Sequence, residues 1–150
     1  MEITGEITVA ATPEAIWAVL TDPDELVECI PGAENITRET EDIFVGTITR
    51  TVAGYTLTLS GEVEVTARDP YQFLAATVSA GNTSAGSWTN VTANAEMEIS
   101  ESDRVATVAY TVTAEVSGRL ASLGSSLVEP KVRSDIEAYF EAVEQRAAAR

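Results

Sequence analysis

The sequence predicts an α+β fold: a curved antiparallel sheet of about seven strands wrapped around a long C-terminal helix, with two short helices after the first strand. Three observations carry this. Near the start, Thr12-Pro13-Glu14 and Asp22-Pro23-Asp24 each place a capping residue before a proline at the first helical position, where the missing N–H costs nothing. Near the end, Val132, Ile136, Tyr139, Phe140 and Val143 recur at helical spacing and define one apolar face. Between these ends lies almost nothing but Thr- and Val-rich sequence with the two-residue period of strands.

Taken in order, residues 2–10 alternate Ile3, Ile7 and Val9 with Thr4, Glu6 and Thr8, the pattern of a half-buried strand. The two short helices follow, and Asp22 with Glu25 three residues on fits a capping box. Pro31-Gly32 ends this segment. Strands are expected over 34–40 and 43–52, around a turn near Glu41-Asp42. The clearest strand spans 55–67, with Tyr55, Leu57, Leu59, Val63 and Val65 on one face and Thr, Ser and Glu on the other, as in a sheet with one dry side. Asp69-Pro70 turns the chain into a strand over 72–80, and another follows over 87–99 with Val91, Ala93, Ala95 and Met97 inward. A turn at Glu101–Asp103 leads to the last strand, where Val108, Tyr110, Val112 and Ala114 share a face. Leu120, Leu123 and Leu127 begin the apolar face of the last helix, and Pro130 predicts a kink or break around Leu127–Pro130. No repeat or linker divides the chain, so residues 1–150 read as one domain.

Charge narrows the function. The 24 acidic and nine basic residues leave a net charge of -15, which repels nucleic acid and disfavours an anionic membrane surface. The single lysine, Lys131, and the abundant threonine point to adaptation to a salt-rich cytoplasm. Cys29 is the only cysteine, so no intramolecular disulfide forms and a reducing interior is expected. The N-terminus lacks the basic and apolar regions of a signal peptide, and no apolar run is long enough to span a bilayer. The expected location is cytoplasmic, with peripheral membrane contact left open.

The absence of histidine excludes Ser-His-Asp and Cys-His nucleophile systems and His-based metal sites. No phosphate-binding glycine loop or calcium loop is present, and no catalytic residue, metal or cofactor is assigned. The fold instead encloses a pocket whose expected walls are Leu57, Leu59, Val91, Tyr110 and Val112 on the sheet. Leu123, Leu127, Ile136, Tyr139 and Phe140 face them from the helix. Arg50 shares parity with Phe44, Ile48 and Val52; it either holds an anionic or carbonyl group of a ligand or snorkels to water. The phenols of Tyr55, Tyr110 and Tyr139 can orient a ligand or simply complete the core. Trp88 falls on the polar parity of its strand, at a pocket mouth or a partner surface. Trp17 reads as core. Cys29, at a helix C-terminus where the dipole does not favour a thiolate, reads as a buried small hydrophobe.

The stretch IWAVLTDPDELVECIPGAENI (16–36) resembles the signature region of the carbon monoxide dehydrogenase G-subunit family, within the START-like, polyketide-cyclase-like helix-grip superfamily. SAGNTSAGSWTNVTANAEMEI (79–99) is similar to that family's glycine-rich strand pair, and SGRLASLGSSL (117–127) to its entry into the last helix. Ala33 and Asn90 stand where a cysteine and a glycine are expected, and the Glu129-Pro130 step is unusual. The resemblance implies a helix-grip fold and an accessory role for a molybdenum carbon monoxide dehydrogenase-type system, with a quinone or lipid-like ligand and a part in enzyme recruitment or assembly. It carries over no catalytic residue. The alternatives are an aromatase/cyclase-type enzyme acting on a small hydrophobic substrate, or a ligand-free interaction module.

Overall fold

In the structure, a computed structural model that describes residues 1–52, 54–82 and 89–150, the chain runs β1 (Glu2–Val9), α1 (Pro13–Thr21), α2 (Pro23–Cys29), β2 (Ala33–Arg38), β3 (Ile43–Val52), β4 (Tyr55–Asp69), β5 (Phe73–Asn82), β6 (Thr89–Ser102), β7 (Val105–Gly118) and, after a single 3-10 turn, α3 (Ser125–Ala148). The strands form one curved antiparallel sheet in the order β1-β7-β6-β5-β4-β3-β2. From β2 to β7 it is a simple meander, and β1 closes against β7, pairing Ile3 with Val112 and Gly5 with Tyr110. The chain therefore passes from one sheet edge to the other through α1 and α2.

Both helix starts use the expected caps. Thr12 Oγ1 accepts from the Ala15 N–H at 3.1 Å, and Asp22 Oδ1 accepts from the Asp24 N–H at 2.8 Å. The capping box is not completed: the Glu25 carboxylate turns to Arg146 on α3 instead of back to the helix start. A charge-assisted pair outcompetes one more backbone bond. The β6–β7 hairpin turns on Asp103 and Arg104, both at positive φ, between the paired Ser102 and Val105. That is the geometry of a two-residue type I′ turn, one residue later than the sequence suggests because no glycine or asparagine marks it.

The start of α3 differs from expectation. Gly124, at φ 93 and ψ 149, separates the 3-10 turn from the helix, and α3 then runs unbroken through Pro130. Such a backbone conformation is essentially restricted to glycine, so the break falls there. Pro130 is the sixth residue of α3, where the lost N–H leaves the Ser126 carbonyl without its helical donor, yet the helix continues.

Two apolar clusters lie between the sheet and the helices. The larger joins Ile3, Val108, Val112, Ile16, Val19, Phe140 and Val143, uniting β1, β7, α1 and the second half of α3. The smaller joins Val52, Leu57, Leu59, Ala80, Leu120 and Val128, under the first turns of α3. Val132 packs against both.

Candidate functional site

The strand alternation brings Leu57, Leu59, Val91, Tyr110 and Val112 onto the side of the sheet that α3 covers, but into different clusters. Leu57 and Leu59 belong to the smaller cluster, with Val91 and Leu123 packed against it. Tyr110, Val112 and Phe140 belong to the larger, with Ile136 and Tyr139 packed against it. The Tyr110 and Phe140 rings stack 3.7 Å apart at 4°, and Tyr139 meets Phe140 edge-on at 5.0 Å. Tyr110 lies over Gly5 of the neighbouring strand: a β-carbon there would sit 2.2 Å from its hydroxyl oxygen, so only glycine admits the stack. Leu127 is not brought to the interior. It is 53% exposed while Val128 turns inward at 5%, because the helix phase is set by the break at Gly124. Trp88 and the side chain of Tyr55 lie outside the described residues.

Between the clusters the sheet carries small and medium apolar residues. Ala93 and Ala95 on β6 pack at the edge of the larger cluster and are half-buried, as are Val63 on β4 and its cross-strand partner Val78 on β5. Val63, Val78 and Ile48 share the inward parity of their strands, yet belong to neither cluster. Among the described residues these three side chains form an apolar floor outside both clusters.

At the β3 side of that floor, Arg50 reaches α3. Its Nε donates to Asp135 Oδ2 at 3.0 Å and its Nη2 to Oδ1 at 2.5 Å, a bidentate pair with each side chain about a quarter exposed. Lys131, one helical turn before Asp135, lies 3.7 Å from the same Oδ1. Sequence parity placed Arg50 on the inward face; the partner, 85 positions away, had no local signal.

The phenols are held protonated. Burial pushes the Tyr139 hydroxyl above its usual range, with the neighbouring Cys29 adding to it. Burial likewise raises Tyr110, helped by the Glu137 carboxylate. Burial, then the Glu25 charge, lifts the Cys29 thiol to about 11, so it stays a thiol at neutral pH and serves as core. Among the described residues no group of three or more His, Cys, Asp or Glu could hold a metal ion. No described helix is long and apolar enough to cross a membrane.

Two concavities on the described surface lie away from this floor. One of about 350 Å³ runs along the outer side of α3 by Ser126, Glu129 and Arg133. The other, about 470 Å³, is lined by Val45, Thr47, Ser60, Glu62 and Ser79 together with Gly46 and Gly61, and opens widely to solvent.

A sheet gripping a long C-terminal helix, with two short helices bridging its edges and apolar floor beneath, defines a helix-grip fold. Solved structures share that fold. A conserved protein from Geobacillus kaustophilus matches with a TM-score of 0.87 at 23% identity, over 99% of this chain and 96% of its own. TTHA0849 from Thermus thermophilus matches at 0.68 and 16% identity, over 99% and 98%. The ZhuI aromatase/cyclase from Streptomyces sp. R1128 matches at 0.65 and 19% identity, over 98% and 93%. Among curated proteins, none matches this sequence. The family model of the carbon monoxide dehydrogenase G subunit (CoxG) matches residues 5–148, and the chain belongs to that family.

Proposed function

We propose that this chain is a non-catalytic accessory protein of a molybdenum carbon monoxide dehydrogenase-type system. It binds a hydrophobic ligand of quinone or lipid type between the sheet and α3, and assists recruitment or assembly of the enzyme. Family membership supports the association with such a system. The ligand is supported by one observation above all: Ile48, Val63 and Val78 face the helix side, are only partly buried and join neither cluster. Uncovered apolar area of this kind is what an apolar ligand removes from water, at roughly 25 cal/mol per Å². The protonated state of Tyr110 and Tyr139 favours binding over acid–base chemistry, since a catalytic acid works best with a pKa near the operating pH.

Native mass spectrometry of protein purified from its own host should reveal a co-purifying apolar molecule. Titration with a water-soluble quinone analogue should then quench tryptophan fluorescence in a saturable way. Replacing Val78 with tryptophan fills the floor and should abolish saturation, at a cost in stability of about 1–3 kcal/mol. A wild-type protein that carries nothing and binds nothing is an adaptor without a ligand; undiminished binding in the folded variant places the site elsewhere.

A further inference from the structure

We infer that the Arg50–Asp135–Lys131 group is the subsite that selects the polar end of the ligand, and that this end is an oxygen acceptor, a carbonyl or a carboxylate. The inference rests on the reading that the floor takes an apolar molecule. Arg50 occupies an inward strand position between Ile48 and Val52, and Asp135 a helix position beside Ile136. Stability alone gives little reason for charges there, because a partly buried ion pair is often matched or bettered by apolar residues of similar volume.

The valence of the group is the second point. Asp135 accepts from Arg50 through both oxygens and is also approached by Lys131, so two of the protein's nine basic residues converge on one carboxylate. The group carries one net positive charge in a molecule of net charge -15. The side-on geometry uses Nε and Nη2 of Arg50; Nη1 makes no bond among the described residues. Its two N–H groups are donors in a planar fork suited to an oxygen acceptor and unsuited to a cation.

The test uses three amphiphiles with the same twelve-carbon alkyl chain: 2-tetradecanone, tridecanoate and dodecyltrimethylammonium, each competing against Nile red. Saturable Nile red binding by the wild type reports the apolar floor alone; its absence removes the floor reading, and this inference with it. With the floor present, the ketone or the carboxylate should displace Nile red at least tenfold more effectively than the ammonium, and which of the two leads identifies the head group. The double variant Arg50→Met/Asp135→Leu removes both charges together, and its head-group ratio should fall towards one. Lys131→Gln, on the helix surface, preserves packing and should weaken tridecanoate several-fold while leaving the ketone near its wild-type value. A preference that survives in the double variant, or a wild type that takes all three heads equally, overturns the assignment.

Discussion

Glu25 ties two helices together through one carboxylate. Its side chain is 12% exposed and receives Arg146 through two nitrogens and Arg150 at 3.3 Å, locking α2 to the end of α3. The Arg146 hydrogen bond, the largest influence, outweighs the opposing effect of burial and holds the Glu25 pKa below the usual value of 4.5. A lowered folded-state pKa means that the contribution is complete above the unfolded value and lost as pH falls through the folded one. Glu25→Gln should therefore lower the melting temperature at pH 7. The gap to wild type should close as pH falls below about 4.5, the usual value. Paired melts from pH 7 to pH 2.5 would check this, and a constant gap would remove the ion pair as its cause. Neither residue could have been matched to the other from sequence, since 121 positions separate them.

The entry to α3 shows which signals are local and which are not. Strand faces were legible because period-two alternation is written residue by residue: Leu57 and Leu59 are buried where Thr56 and Thr58 are exposed. The two short helices were legible for the same reason, through Thr12-Pro13 and Asp22-Pro23. Pro130 misled, because a proline inside a helix costs stability without ending a helix that tertiary packing carries on. The break falls instead at Gly124, whose φ of 93 separates the 3-10 turn from α3. Leu127, expected inward, consequently faces out. Gly124→Ala should destabilise the fold by about 1–3 kcal/mol, the usual cost of such backbone strain. A β-carbon there meets nothing within 4 Å, so the loss would come from conformation and not from a clash. Pro130→Ala should do the reverse, restoring a donor to the Ser126 carbonyl and gaining about 2 kcal/mol after the unfolded-state entropy is set against it. Urea denaturation of both variants measures the two effects. A neutral Gly124 variant beside a destabilised Pro130 variant would overturn this account of the break.

Over the whole molecule, apolar burial must hold together a chain whose charges repel. Arg50, Arg68, Lys131, Arg146 and Arg150 are already paired with carboxylates. The outer face of the sheet carries Glu62, Glu64, Glu96, Glu98 and Glu115, all exposed, interleaved with threonine and serine. Glu62 and Glu64, like Glu96 and Glu98, stand two residues apart on one strand face, about 7 Å from each other by strand geometry. At physiological ionic strength the Debye length of about 8 Å leaves such neighbours only partly screened, and at 1 M it falls to about 3 Å. The core gains nothing from this screening, whereas the surface repulsion is largely removed. We propose on that basis that the fold is adapted to high salt. The melting temperature should rise by about 5 °C or more between 20 mM and 1 M KCl, equivalent to roughly 2 kcal/mol for a domain of this size. Most of the rise should come below about 0.5 M, where screening changes fastest, while the general salting-out effect of added salt continues to grow beyond it. Replacing Glu64 and Glu98 with glutamine should shrink the low-salt part of the rise and leave the high-salt part alone. Equal midpoints at the two salt concentrations would mean that the acidic surface serves solubility and that folding does not depend on salt.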